Sequence, residues 1–341
     1  MRSFKLFVVL TTLFMITGLV HQAQAAEYLW RYALEEIEGS LQDAYAQKFK
    51  SLLEEKSGGK IHLDIYPYGQ LGTSGQITEL LQGGAVEFAF QSPGHLGSYI
   101  PEVQVFSIHY LFPDDQAVIR KVLKEGKNTY STLGKYYEQK DLKLLSIIPE
   151  GWQVWTTQKE IHSPKDFEGM KFRVMTSPML VEAYKAYGAN PTPMPYSEIY
   201  SALQLKMIEG QVQPYFANQE MKFYEVTKYL ISAKQLMFIC TVVANKDFYD
   251  GLPADIKQVV DESIAGATDY IFEFEEDFNQ KRLQMMLKDK PSLVHYELTD
   301  EEKAAFKDKA QPVQQKYLQI GGQGAEEVLN AVKTDIQNAM K

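Results

Sequence analysis

The group in this chain best suited to hold a small molecule is an arginine on a short β-like run. Arg173 lies within Gly169-Met-Lys-Phe-Arg-Val-Met175. Period-two alternation puts Met170, Phe172 and Val174 on one face of that run and Arg173 on the other. A guanidinium is a planar fork that can meet both oxygens of a carboxylate through parallel hydrogen bonds. Further along, the helical stretch Ser197 to Gly210 stops and Gln211-Val-Gln213-Pro214 follows. The amide of Gln213 can donate a further bond to a carboxylate oxygen. Together the two side chains suit the capture of a small organic acid. The ordinary alternatives are a structural ion pair for Arg173 and a turn-stabilising role for Gln213.

Other candidates sit beside strands. Glu35, Glu36 and Glu38 follow the run Tyr28 to Ala33. If Glu36 faces a cleft, its carboxylate can accept a bond from an ammonium or indole N–H, and an amino acid or other amino-bearing carboxylate becomes a fitting ligand. A solvated charge cluster at a helix start is the bland alternative. Ser92 and His95 follow the strand-like Val86 to Gln91, and loops at strand C-termini line clefts in open α/β sheets. Met175 continues the arginine run. Gln235 and Met237 lie where the chain is expected to recross between lobes. Trp152, Trp155, Tyr215 and Phe216 could form an aromatic wall, or could be core and hinge packing.

Reaction signatures are missing. The chain has no Gly-x-Ser-x-Gly, no His-Glu-x-x-His and no phosphate loop ending in Lys-Ser/Thr. Its six histidines lack metal-ligand spacing, so neither a metal nor a cofactor is expected. Glu275-Glu276 sit in a long helical pattern and read as solvated. Cys240 is the single cysteine, so no intrachain disulfide is possible, and its apolar surroundings from Leu236 to Val243 suggest an inert buried thiol.

The N-terminus reads as a secretory signal peptide over residues 1–25: Arg2 and Lys5, the apolar run Leu6 to Val20, then Ala23-Gln-Ala25. Removing residues 1–25 from 341 leaves 316, enough for two lobes with separate cores. Loss of Arg2 and Lys5 takes the formal charge from −9 to −11. That charge disfavours nucleic acid as a partner and means that any anion site must be made locally. Export without a disulfide suggests a periplasmic location.

The elements that must position these groups alternate. Tyr28 to Ala33 and Ile61 to Tyr66 read as strands, and Leu41 to Lys56 as a helix ending at Gly58-Gly59. Thr73 and Gln76 form a capping box for the helix to Leu81. The strand–helix alternation predicts an α/β fold with a mostly parallel sheet. Leu142 to Ile148 is a strand leading into Gly151-Trp152, where the first lobe crossing is placed. Ile231 to Asn245 is expected to carry the chain back. Pro253 to about Lys288 reads as one helix, roughly 50 Å long at ~1.5 Å per residue. Two amphipathic helices are expected after Thr299.

Several segments resemble the extracytoplasmic solute receptors of tripartite ATP-independent periplasmic (TRAP) transporters, the dicarboxylate-receptor-like family. They are Glu55-Lys-Ser-Gly-Gly-Lys60, Tyr66-Pro-Tyr-Gly-Gln-Leu-Gly72, Leu111-Phe112, Asp166 to Val174, Pro191-Thr-Pro-Met-Pro-Tyr-Ser-Glu-Ile-Tyr200, Glu209 to Pro214 and Lys222 to Leu230. Each is weak alone; in this order they are specific. The resemblance implies a two-lobed periplasmic-binding-protein-like α/β fold, a ligand cleft between the lobes and a long helix spanning both. It also implies a small-molecule carboxylate ligand and transporter membrane subunits as partners.

The resemblance assigns carboxylate binding to Arg173. Gln213 departs from the family's usual asparagine, and Val212 stands where glutamate is common. A second arginine found in members that bind acidic sugars has no counterpart at Gly151-Trp-Gln-Val-Trp155. The expected ligand is therefore an aromatic or otherwise apolar monocarboxylate, such as an aromatic amino acid or 2-oxo acid. The expected lobes are 26–150 with about 240–278, and 151–239 with about 279–341. The rival readings are a receptor for another transport or sensing system, a secreted hydrolase and a structural envelope protein without a ligand.

Overall fold

The computed structural model describes residues 26–341; the expected signal peptide lies outside the described residues. Among the described residues nine strands form one sheet. They are β1 (Tyr28–Ala33), β2 (Ile61–Tyr66), β3 (Phe88–Gln91), β4 (Leu142–Thr157), β5 (Lys171–Val174), β6 (Asn190–Pro193), β7 (Gly210–Gln213), β8 (Tyr229–Asn245) and β9 (Val294–Glu297). The order is β2-β1-β3-β8-β4-β7-β5-β6, with β9 also beside β8.

Two strands explain how one sheet serves two lobes. β4 and β8 pair antiparallel from Leu142↔Asn245 to Thr157↔Tyr229. At ~3.3 Å per residue such strands run roughly 50 Å. The parallel set β2-β1-β3 joins this ladder at one end, Phe88↔Ala244 to Gln91↔Thr241. The set β7-β5-β6 joins at the other, Val154↔Gln213 to Thr157↔Gly210. Between them the ladder loses regular register, with shifts at Pro149/Gly151 and Trp152/Val154. Gly151 has φ +119°, and a Cβ there would come within 2.6 Å of Asn279 Nδ2 on the helix behind it. Only glycine fits both demands.

That helix is Ala254–Asp289, 36 residues. It is as long as expected because nothing after Pro253 breaks it. Its buried stripe runs Ile256, Val260, Ile264, Ala267, Ile271, Glu275, Asn279, Leu283 and Met286, at three- and four-residue steps. Glu275 therefore departs from expectation: it is buried, and Asn279 Nδ2 donates to its Oε1 at 2.9 Å, whereas Glu276 is exposed. One position along a helix is a rotation of about 100°, enough to separate core from solvent.

The capping box forms as read, with Thr73 N–H donating to Gln76 Oε1 at 2.9 Å at the start of Ser74–Gln82. After Thr299 there are three helices, Asp300–Ala310, Val313–Ile320 and Ala325–Ala339. Pro312 divides the first two, since it cannot donate within a continuing helix. Val328, Val332 and Ile336 share one apolar cluster with Val118, Ile119, Leu133 and Tyr137. We propose on that packing that Ala325–Ala339 goes with the first lobe rather than with 279–341 in the second. A separate core holds Trp155, Phe167, Phe172, Tyr184 and Phe306.

Candidate ligand-binding site

β5 lies between β6 and β7, so both of its edges are paired, and Arg173 is fully buried along with Phe172 and Val174. Its Nε and Nη2 donate to the carbonyl of Met194 at 3.2 and 2.9 Å. Its Nη1 has no partner. Burial pushes the guanidinium pKa down to about 10, partly offset by the phenols of Tyr196 and Tyr68. Among the described residues no carboxylate pairs with this arginine. A buried cation with an unused donor is costly unless an anion completes it.

Close to Arg173 is a small cavity lined by Glu35, Glu36, Gln42, Ser92, His95, Met175, Tyr196, Gln213 and Phe238, with a free volume of about 20 Å³. That space holds about one water. First-lobe and second-lobe groups face each other across it, and a side chain at Gly94 would collide with Met175. His95 Nδ1 lies 3.3 Å from Thr176 Oγ1. Burial, then the Arg173 charge, pushes His95 down to about 4, so it is neutral at ordinary pH.

The wall opposite Arg173 is acidic. The turn after β1 brings Glu35 and Glu36 inward and leaves Glu38 exposed. Ser92 N–H donates to Glu35 Oε2 at 2.8 Å, while Glu35 Oε1 is unpartnered. Burial raises Glu35 to about 7. Gln42 N–H donates to Glu36 Oε2 at 3.3 Å, and Gln42 Nε2 donates to Glu150 Oε1 at 3.0 Å. Glu150 is fully buried, its Oε2 has no partner, and burial lifts it to about 8. Burial, then the charges of Glu150 and Glu220, raise Glu36 well above the usual carboxylate range.

Among the residues expected at the site, Glu36, Ser92, His95, Met175 and Gln213 converge on this cavity and Arg173 adjoins it. The others do not line it. Trp152 packs beside the first core and pairs in the ladder with Met237, itself in that core. Trp155 is buried in the second-lobe core, its Nε1 donating to Tyr184 Oη at 3.0 Å. Tyr215 turns to His295, 2.9 Å from its Nε2. Phe216 is buried against Phe278, ring centroids 6.1 Å apart. Gln235 is buried with both amide atoms unpartnered, and its carbonyl accepts from Tyr110 N–H at 2.7 Å. The aromatic wall expected from these residues is absent; Tyr196 and Phe238 are the rings at the cavity.

Sequence reading passed over Glu150, Gln42, Tyr196 and Phe238. Tyr196 lay inside the segment Pro191 to Tyr200. Glu150 had one faint signal, a lone carboxylate at the end of an apolar strand.

The family model for bacterial extracellular solute-binding protein, family 7 (DctP), matches residues 33–320. The chain belongs to that family, the solute-binding proteins of TRAP transporters. It is 41% identical over 307 residues to the ectoine/5-hydroxyectoine-binding periplasmic protein UehA of Ruegeria pomeroyi, covering 90% of each chain. The structure of the periplasmic ectoine-binding protein of the TeaABC TRAP transporter of Halomonas elongata superposes with a TM-score of 0.88 at 37% identity, covering 91% of this chain and 99% of that one. A TRAP periplasmic solute-binding protein of Marinobacter aquaeolei, in an apo open structure, gives 0.84 at 40% identity over 89% of this chain and 99% of the other. The two-lobed TRAP-receptor fold is therefore shared. These relatives are receptors rather than enzymes.

Proposed function

We propose that this TRAP receptor binds a compact zwitterion, a carboxylate that also carries a delocalised or ammonium cation, of the ectoine class. It would act in the periplasm and pass the ligand to TRAP membrane subunits. One observation carries the reading: the unpartnered Nη1 of buried Arg173 adjoins a cavity lined by the buried carboxyls of Glu35 and Glu36, with Glu35 Oε1 unpartnered. Arg173 Nη1 suits a carboxylate, with Gln213 beside it as a neutral donor. Glu35 and Glu36 suit N–H groups of the cationic end. Ectoine is a cyclic carboxylate with an amidinium and presents both poles at short range. The names of the relatives support the same class.

The expectation of an aromatic monocarboxylate rested on an aromatic wall that the cavity does not have, and on a missing second cation. A second anion-binding cation is unnecessary when the other pole of the ligand is itself positive. The amino-bearing alternative, conditional on Glu36 facing the cleft, is supported by Glu36 lining the cavity.

The cavity of about 20 Å³ is too small for such a ligand without movement. Binding therefore proceeds through parting of the lobes, and closure is driven only by the ligand's preference for the closed form. Titration calorimetry of the mature protein with ectoine and with pyroglutamate, a cyclic acid whose ring nitrogen is uncharged, tests the reading. Preference for ectoine is expected. Binding of pyroglutamate or aromatic acids in preference to ectoine would sink it. Uptake reconstituted with TRAP membrane subunits tests the partner.

A further inference from the structure

The acidic wall does not end at the cavity. Glu220, the last residue of the helix Tyr215–Glu220, has a side chain only 4% exposed, and neither of its oxygens is hydrogen-bonded. Arg282 of the long helix approaches its Oε1 at 3.4 Å. The same guanidinium donates from Nη2 to the carbonyl of Gly39 at 2.7 Å and from Nη1 to Gln219 Oε1 at 2.7 Å. Gly39 is in the first-lobe turn that carries Glu36; Gln219 and Glu220 are on the second lobe.

These contacts close a ring. Glu36 is tied to Gln42, and Gln42 to Glu150. Asn279 Nδ2 donates to the carbonyl of Glu150 at 3.0 Å, and its Oδ1 accepts from Phe216 N–H at 3.2 Å, at the start of Glu220's helix. Arg282 returns from Glu220 to Gly39. Three buried carboxylates from the first lobe, the crossing strand and the second lobe thus share one pole. An observation outside the carboxylates points to a ligand there. Tyr196, 7% exposed, lines the cavity with an unpartnered hydroxyl.

We propose that Glu150 and Glu220 are specificity-determining residues that complete the negative pole with Glu36, so that a cationic group in the ligand is what lets the two lobes close. This rests on the zwitterion reading above. Closure brings Glu220 toward Glu36 and Glu150, and like charges in a poorly hydrated space repel. Arg282 offsets one of them. Gln42 is neutral, the Asp43 charge adds to the pressure on Glu220, and among the described residues the other cation at the cavity, Arg173, stands on the opposite wall, while His95 is neutral. Without a ligand the excess charge is removed by protons, consistent with values of about 8 for both Glu150 and Glu220, each raised mainly by burial. A cationic ligand replaces those protons and selects the closed form. A carboxylate without a cation leaves the repulsion in place.

Calorimetry with ectoine and pyroglutamate, each in two buffers of different ionisation enthalpy, tests this on wild type, Glu220→Gln and Glu150→Gln, with exposed Glu38→Gln as control. Thermal melts check folding. Wild type should release protons on binding ectoine and bind it more tightly as pH rises from 6 to 9. That readout needs no substitution. Each Gln variant should weaken ectoine about tenfold or more, release fewer protons, and bind pyroglutamate as well as wild type or better. Folded variants that bind ectoine within about twofold of wild type, or a wild type that binds ectoine without proton release, overturn the proposal and leave the zwitterion reading standing. A wild type that prefers pyroglutamate overturns that reading and this proposal together.

Discussion

The two poles of the cavity are built on opposite principles. At the positive pole a single group, Arg173, is held rigidly: two of its nitrogens bind one backbone carbonyl and the third is left free. At the negative pole several carboxylates compete, two of them sharing Gln42 as donor, and protons supply what cations do not. The difference follows from pKa. Arginine stays charged even when burial lowers it to about 10. A carboxylate pushed to about 7 or 8 can be neutral or charged near neutral pH. One pole is therefore a fixed anchor, and the other responds to what enters.

The largest expected effect breaks the anchor. Arg173→Ala should weaken zwitterion binding on the order of 100-fold or more, since a charge-assisted fork is lost and the ligand carboxylate is left buried. Arg173→Lys should not restore it, because an ammonium cannot hold the Met194 carbonyl and the ligand in one plane. Calorimetry measures both; near-normal affinity for Arg173→Ala would move the carboxylate site elsewhere.

Glu36→Gln attacks the other pole and should cost roughly tenfold with ectoine. Pyroglutamate should bind it no worse than wild type. Equal losses for both ligands would mean that Glu36 shapes the cavity rather than reading charge.

The poles should also differ in how stability depends on pH. Glu35, Glu150 and Glu220 are raised from 4.5 to about 7, 8 and 8. A carboxylate whose folded pKa is raised holds its proton in the fold after the unfolded chain has lost it. Its stabilising contribution is complete below the unfolded value and is lost as pH rises through the folded value. The melting temperature of the ligand-free protein should therefore fall between about pH 5 and 8, and Glu150→Gln should flatten that fall. A rising melting temperature over this window would contradict the acidic pole.

Smaller effects sharpen the picture. Gln213→Asn shortens a neutral donor beside Arg173 and should shift affinity only about threefold, within the worth of one ordinary hydrogen bond. Trp155→Phe should leave binding unchanged while costing about 1–3 kcal/mol of stability, because Tyr184 loses its partner and the second-lobe core loses volume. If ligand affinity fell instead, the aromatic-wall idea would return.

The contrast between Trp155 and Glu36 shows how far sequence reading reached. Both stood beside strands and both had two readings. Alternation and burial propensity cannot separate a tryptophan in a core from one in a cleft, since both are apolar walls. Glu35, Glu36 and Glu38 are likewise equivalent in composition, and only the turn after β1 sends two inward and one outward. Arg173 was legible because an arginine in the run Lys171–Val174 has no local partner and recurs in a recognisable family motif. Glu220 had no signal at all, since its importance depends on Arg282 and Glu150, far away in sequence.

The sequence by itself determined the elements: strand alternation, the capping box at Thr73, the unbroken helix after Pro253 and the long strand from Ile231 to Asn245. These follow from periods of 2 and 3.6 residues and from residues that start or stop them, all of which act locally. That the strand from Leu142 continues past Ile148 to Thr157 was decided by its pairing with β8. Tertiary structure alone decided which polar groups meet. Gln42 reaches Glu150 across 108 positions, and Phe216 reaches Asn279 across 63. Such meetings depend on how the lobes close over the β4–β8 ladder, and no local pattern encodes that distance.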